Sequence, residues 1–181
     1  MNSPPDEARG GLDPALATLR STVQPGGPLG TPEAPHETRL PGGLLLHADP
    51  EGLHEGRWSS PSGRLLELTV EARRPGRWLA LHVPLEPWEP AETLWVALLL
   101  RATAYPATVL RPSLRRGRPE GFEDLFGERH LLAQGREGDG AALWPLDRLG
   151  SDPGPWREMV LFLPSAVSFR LSLHALRVLA A

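Results

Sequence analysis

The chain has 181 residues, a hydrophobic fraction of 40% and a formal net charge of −3 at pH 7. This length is enough for one domain with a sizeable core. The charge provides no general attraction to nucleic acid or to anionic lipid. The sequence contains no cysteine, which excludes disulfides, thiolate nucleophiles and cysteine-based zinc sites.

The N-terminal segment Met1–Glu7 has neither a basic region nor an apolar region, so we predict no secretory signal peptide. The apolar run Leu94–Leu100 is much too short to span a bilayer. We therefore expect synthesis in the cytoplasm and no insertion into a membrane.

Residues 1–43 are predicted to form a disordered or extended tail. They contain eight of the 21 prolines, seven glycines and no aromatic residue. Such a segment buries too little apolar surface to offset the entropy lost on ordering. We therefore place the boundary of the folded domain at residue 44.

One stretch of the tail, residues 13–20, has the pattern of a short helix. Asp13 is a suitable N-cap, and Pro14 is favoured as the first helical residue. The stretch is either a fluctuating turn within a linker or a peptide that becomes ordered on a protein partner. In the second case the docking side chains would be three leucines close together: Leu12, Leu16 and Leu19.

Beyond residue 44 the chain alternates between apolar and polar residues, which is typical of strands with one buried face. The clearest example is Val167–Ala175, whose apolar positions are two residues apart. Other candidate strands are Leu44–His47, Arg64–Glu71, Trp78–Leu85, Thr93–Leu100, Thr108–Leu114, Arg129–Gln134, Ala141–Leu146 and Trp156–Leu163. About eight or nine strands without a helical domain predict an all-β fold: an antiparallel two-sheet β-sandwich, or jelly roll, over residues 44–181.

Four details of this sandwich follow from the local pattern. Arg64–Glu71 and Trp78–Leu85 are separated by a turn and should pair as a hairpin. The last two strands should pair in the same way. Thr93–Leu100 is apolar at both phases and is either a central strand covered on both faces, with Trp95 in the core, or a short helix. Residues 115–128 are rich in charge and glycine and should form a long loop.

The strand order resembles that of the galactose-binding-like jelly rolls, which include many non-catalytic carbohydrate-binding modules. A strand that begins with tryptophan, Trp156–Pro164, precedes a final alternating strand that includes Phe169–Leu173, as it does in that family. The resemblance covers residues 44–181 and implies a binding function without catalysis. The family often holds a calcium ion beside an acidic residue near the end of its last strand. The segment Leu176–Ala181 has no such residue, so we predict no metal site.

No catalytic motif is present. The histidines form neither a His-x-His pair nor a His-Glu-x-x-His motif. Glycoside hydrolysis requires two carboxyl groups on opposite sides of the bond. Four acidic residues instead fall together within the predicted loop: Glu120, Glu123, Asp124 and Glu128. We therefore predict no enzymatic activity and no cofactor.

The polar phases of several strands suggest a binding surface. Trp78 and His82 share one phase, Arg111 has the polar phase of another strand, and the outward row of the last strand contains Arg170, Ser172 and His174. If these strands belong to one sheet, the face combines an aromatic platform with guanidinium and imidazole groups. Such a surface suits a glycan with hydroxyl or acidic groups.

Two hypotheses for function follow. The first is a non-catalytic binding module for carbohydrate, in which these six residues contact the glycan. The second is a structural or attachment subunit, such as a phage-like particle decoration or spike, docked through its N-terminal tail. The second hypothesis would place the protein in a released particle.

Overall fold

The computed structural model describes residues 11–88, 93–145 and 154–180, and its strands pair into two antiparallel sheets. The strands are β1 Gln24–Pro28, β2 Glu37–Arg39, β3 Leu45–Ala48, β4 Leu53–Ser60, β5 Leu66–Arg74, β6 Leu79–Pro84, β7 Trp95–Tyr105, β8 Thr108–Arg118, β9 Gly121–Phe126, β10 Leu131–Ala133, β11 Gly138–Pro145, β12 Arg157–Leu163 and β13 Phe169–Ala180. The helical segments are α1 (Ala17–Ser21) and the 3₁₀ turns Pro14–Leu16 and Pro41–Gly43. The predicted all-β sandwich is confirmed.

We call the two layers the back sheet and the front sheet. The back sheet has the strand order β1-β4-β5-β13-β7-β11. The front sheet has the order β10-β8-β12-β6-β3-β2, and β9 pairs with β8 along part of its length. No helix within the described residues is long and apolar enough to cross a membrane.

The core lies between the sheets and consists of the alternate side chains that the sequence pattern singles out. Leu66, Leu68 and Val70 of β5 face Leu79 and Leu81 of β6 across this layer, and all are buried. Each such side chain contributes about 1.5–3 kcal/mol when it leaves water. The alternation therefore determines which face of every strand is hidden.

The two predicted hairpins are wrong. β5 lies in the back sheet between β4 and β13, whereas β6 lies in the front sheet between β12 and β3. β12 and β13 are likewise in different sheets. Alternation identifies the buried face of a strand and not its neighbour, so consecutive strands can bury the same face from opposite sheets.

The predicted loop at residues 115–128 is a hairpin. β8 continues to Arg118, and β9 returns from Gly121, whose φ of 111° lies in the region that favours glycine. Asp124 lies opposite Arg115 in this pair, so the charges that suggested a loop stabilise a ladder instead.

β7 is covered on only one of its faces. Its burial alternates along the strand, and Trp95, which we expected in the core, is 44% exposed on the outer face of the back sheet. The apolar residues at both phases of Thr93–Leu100 therefore leave apolar surface in contact with solvent.

The domain begins before residue 44, because residues 11–43 are part of the sandwich. β1 pairs with β4, and β2 pairs with β3. The docking hypothesis named three leucines: Leu12, Leu16 and Leu19. All three are buried in the core, so a protein partner cannot reach them. Residues 1–10 of the predicted tail lie outside the described residues.

The helical turns at residues 14–21 close one end of the sandwich and are tied to its last strand. The Asp13 carboxylate accepts a hydrogen bond from the Val178 backbone N–H at 2.8 Å and pairs with Arg20 at 2.6 Å. Arg20 also donates to the Leu176 carbonyl oxygen at 2.8 Å. This short helix is therefore ordered by tertiary contacts, which isolated helices of its length lack.

We predict that Leu16→Ala destabilises the protein by about 2–5 kcal/mol, because it leaves a cavity in the core. In a free tail the same change would cost almost nothing. Val23→Ala is the matched control at a side chain that is 61% exposed, where an effect within about 0.5 kcal/mol is expected. Urea unfolding of both variants measures the difference. Equal stabilities for the two variants would contradict the placement of Leu16 in the core.

Candidate ligand-binding cleft

The outer face of the front sheet gathers polar and aromatic side chains from neighbouring strands. The pairing register places Asp124, Arg115 and Glu158 in one row across β9, β8 and β12. The next row includes Val160 beside His82 on β6. Because side chains alternate, these residues point away from the core.

A cleft of about 340 Å³ lies on this face. It is lined by His47, Trp78, Ala80, His82, Arg115, Phe122, Asp124 and Phe162. Small-molecule sites in proteins begin at about 300 Å³ and combine apolar walls with a few polar groups. The cleft has both features.

Arg115 is the centre of the polar network at one end of the cleft. Its Nε and one terminal nitrogen each donate to the Asp124 carboxylate at 2.8 Å, and its other terminal nitrogen donates to Glu158 Oε1 at 3.4 Å. Ser113 Oγ donates to Asp124 at 3.2 Å, and the guanidinium carbon lies 3.9 Å from the centroid of the Phe122 ring. These contacts hold the guanidinium in one position and offset its charge.

His82 is held by the same network through one of its two ring nitrogens. Its Nδ1 lies 2.9 Å from Glu158 Oε1, and the residue is only 7% exposed. A carboxylate oxygen accepts hydrogen bonds, so we assign the proton to Nδ1, which makes Nε2 an acceptor in the neutral ring. Nε2 is buried and has no hydrogen-bond partner among the described residues, which costs about 1–3 kcal/mol. A ligand hydroxyl that donates to Nε2 would remove this cost.

Aromatic rings lie at both ends of the face. The rings of Trp78 and His47 meet edge to face with centroids 4.7 Å apart. At the other end, Gly117 lies opposite Phe122, and the Trp156 indole occupies the space that a Cβ on Gly117 would need. Leu163 of β12 lies opposite Leu79 of β6, so Trp78 is level with the position eight residues beyond Trp156. Eight residues of a strand span about 26 Å. The face is therefore elongated.

The electrostatic environment of the cleft acts on His47. Burial lowers the pKa of its imidazole from 6.5, and the charges of His82, His36 and Arg115 lower it further, while Glu37 raises it. His47 Nε2 lies 4.0 Å from Glu37 Oε1. The neutral imidazole is therefore favoured, which leaves it able both to donate and to accept a hydrogen bond.

Comparisons with known proteins bear on the fold. No family model matches the sequence, and no curated protein matches it. Among solved structures, the N-terminal cellulose-binding domain of β-1,4-glucanase C from Cellulomonas fimi is 17% identical, with a TM-score of 0.50 over 86% of this chain and 96% of that one. A family 11 carbohydrate-binding module from a Clostridium thermocellum cellulase is 10% identical, with a TM-score of 0.50 over 97% of each chain. The chain has the jelly-roll fold of carbohydrate-binding modules. At these identities the likeness concerns the fold alone.

The jelly roll separates the residues that we expected on one face. Trp78 and His82 line the cleft, and Arg111 lies on the same face, with its guanidinium carbon 4.8 Å from the Phe126 ring centroid. The other three expected residues belong to β13: Arg170, Ser172 and His174. They lie on the opposite side of the sandwich, because β13 is part of the back sheet. There Ser172 Oγ accepts from Arg64 at 3.0 Å, and His174 Nδ1 lies 2.9 Å from Glu137 Oε1. The six residues therefore do not form one site.

Several cleft residues were missed by the sequence analysis: His47, Arg115, Phe122, Asp124 and Phe162. A signal existed for three of them. Phe122 and Asp124 occupy alternate positions along β9, on the face opposite to Leu125. The charge of this stretch nevertheless suggested a loop. Phe162 has the phase of Glu158 on β12, opposite to the buried Leu161.

The acidic residues are not arranged as a catalytic pair. Glu123 and Asp124 are consecutive on β9, so their side chains lie on opposite faces. Glu123 pairs with Arg118 and Arg116, and the hydrogen bonds from these two guanidinium groups lower its pKa. Within the described residues, no group of three His, Asp or Glu side chains could hold a metal ion.

We predict that His47 makes the protein less stable in acid. As the pH falls through 6.5, the unfolded chain binds a proton before folded His47 does, so the free energy of unfolding decreases with decreasing pH. His47→Asn should make this decrease less steep, and Glu37→Gln should make it steeper because it removes the group that raises the pKa. Urea unfolding on both sides of pH 6.5 measures the slopes. An unchanged slope in His47→Asn would show that this imidazole titrates normally.

Proposed function

We propose that the protein is a non-catalytic carbohydrate-binding module that holds an extended glycan in the cleft of the front sheet. The observation that carries the proposal is a cleft with aromatic walls that is also lined by His82, whose buried Nε2 has no hydrogen-bond partner among the described residues. Sugars present hydroxyl groups around an apolar ring face, so they can satisfy such a nitrogen while stacking on an aromatic side chain. The shared fold with carbohydrate-binding modules supports the same function.

The charges favour a neutral glycan. Arg115 contacts both Asp124 and Glu158, so its positive charge is more than offset by its own neighbours. Within the described lining of the cleft an acidic sugar would meet the Asp124 carboxylate and the Arg115 guanidinium, which is already paired, whereas Arg111 lies outside the lining, over the Phe126 ring. This narrows the expected ligand to glycans whose polar groups are hydroxyls.

Nothing in the cleft favours hydrolysis. The two carboxylates at the cleft are bound by the same guanidinium: both oxygens of Asp124 accept hydrogen bonds from Arg115, and Glu158 Oε1 accepts from Arg115 and lies 2.9 Å from His82 Nδ1. Glycoside hydrolysis needs one carboxyl group to act as an acid and another to act as a base or a nucleophile. The attachment hypothesis depends on docking through Leu12, Leu16 and Leu19, and the burial of these side chains gives it no support.

We predict that Trp78→Ala lowers the affinity for a bound neutral polysaccharide about 10- to 100-fold, because the cleft loses an aromatic wall. Affinity electrophoresis against cellulose derivatives, xylan, mannan and polygalacturonate identifies a ligand, and calorimetry then measures the loss. Arg170→Ala is the control, since Arg170 lies on the back sheet and should leave binding unchanged. The proposal fails if the wild-type protein binds no neutral glycan, or if Arg170→Ala weakens binding as much as Trp78→Ala.

We also predict that His82→Phe lowers the affinity about tenfold, because an aromatic ring is kept while the Nε2 acceptor is lost together with the contact of Nδ1 with Glu158. The comparison is made with the same polysaccharide, after thermal melting shows that the variant is folded. His174→Phe provides the matched control on the back sheet. Undiminished binding by His82→Phe would show that Nε2 does not contact the ligand.

A further inference from the structure

One edge of the back sheet differs from the other sheet edges. β1 contains Pro25 and Pro28, and β2 and β10 have three residues each. Proline and short length are the usual devices that prevent an edge strand from pairing with another chain. β11 is eight residues long, its proline is its last residue, Pro145, and among the described residues it pairs with β7 alone.

The outer face beside this edge is apolar and exposed. Leu143 on β11 is 52% exposed and lies opposite Ala97 of β7. The adjacent rows pair Pro145 with Trp95 and Ala141 with Leu99, and Trp95 and Leu99 are also exposed. Contiguous exposed apolar surface on a soluble protein marks an interaction site more often than isolated residues do.

We propose that β11 pairs with β11 of a second copy of this chain, forming a two-fold dimer in which the back sheets are continuous. When β11 of one copy pairs antiparallel with β11 of the other, the edge N–H and C=O groups of both strands form hydrogen bonds with each other. The two-fold axis is perpendicular to the sheet, so it leaves the outer faces of both copies on the same side.

The side chains of β11 fit this pairing in one register. When Ala141 lies opposite Leu143 of the second copy, a small residue faces a large one at both symmetric positions. Asp139, which already pairs with Arg101 at 2.8 Å, then lies opposite Pro145 of the second copy, so no like charges meet. On the inner phase Ala142 lies opposite Ala142 of the second copy, and Gly140 lies opposite Trp144, whose side chain is buried within its own copy.

A second copy fits this edge better than an unrelated peptide does. Peptides that add to a sheet edge take their specificity from pockets for alternate side chains. The apolar surface here lies on β7 and β11 themselves, so the added strand must bring its own apolar outer row. β11 of a second copy has such a row, because its Leu143 lies beside Leu99 and Trp95 of β7 in the same copy.

The dimer has a consequence that rests on the proposed function. Because the axis is perpendicular to the sheets, the two front-sheet clefts face the same side of the dimer. A long polysaccharide could then occupy both clefts, and the second contact would form at a high effective concentration.

The test measures mass in solution by sedimentation and by light scattering at protein concentrations up to about 100 µM, which detects a micromolar dimer. We expect the wild-type chain to dimerise and Leu143→Glu to raise the dissociation constant at least about tenfold. Leu132→Glu is the control at a leucine that is 59% exposed on β10, an edge strand of the front sheet. A monomeric wild-type chain, or unchanged association of Leu143→Glu, would overturn the proposal.

Cysteine cross-linking provides a second test, since the chain has no cysteine of its own. Opposed residues in an antiparallel pair have Cα atoms about 4.5–5.5 Å apart, which is within reach of a disulfide. Oxidation of mixed Ala141→Cys and Leu143→Cys chains should therefore give a covalent dimer. A mixture of Ala141→Cys and Leu132→Cys should give much less, and equal yields from the two mixtures would contradict the pairing. Neither test involves a glycan, so its outcome is independent of the binding proposal.

Discussion

The structure depends on one constraint, the burial of alternate leucine and valine side chains between two sheets. Leu68 of β5, Leu81 of β6 and Leu171 of β13 occupy this layer together and are almost completely buried. Once these side chains face inward, the opposite phase of every strand must face outward. The outer face of the front sheet is therefore defined by the core, although none of its polar residues contributes to that core. The same constraint orders residues 11–43, because the leucines near the N-terminus cover the end of this layer.

The cleft owes its chemistry to charged side chains that bind one another. Arg115 links β9, β8 and β12 through Asp124 and Glu158, and Glu158 in turn orients His82 on β6. An ionic chain of this kind is costly to bury and becomes favourable only when each member has its partners. With two carboxylates around one guanidinium, it leaves no unpaired positive charge from Arg115 for a ligand to meet. The available features are an imidazole acceptor and aromatic rings, which suit hydroxyl-rich molecules better than anions.

Part of the candidate site could be predicted from the sequence. Trp78 and His82 were placed on one face correctly, because they belong to a single alternating run. Phe122, Asp124 and Phe162 were missed, although they alternate as well. The charge and glycine content of residues 115–128 predicted a loop, whereas cross-strand pairing of Arg115 with Asp124 makes those charges favourable within a hairpin. Arg170, Ser172 and His174 were placed on the correct face of their strand but with the wrong neighbours.

The sequence by itself determined the fold class and the inner face of most strands, because alternation is a local property of two residues. It could not determine which sheet a strand joins. β5 and β6 are consecutive and alternate in the same way, yet they lie on opposite sides of the core. Only the tertiary structure decided that Arg115 and His82 share a cleft and that His174 does not. Only packing decided that Leu16 is a core residue, since a two-turn helix gains its order from the sandwich it covers. Strand neighbours and helix docking depend on contacts between distant residues, which no local pattern records.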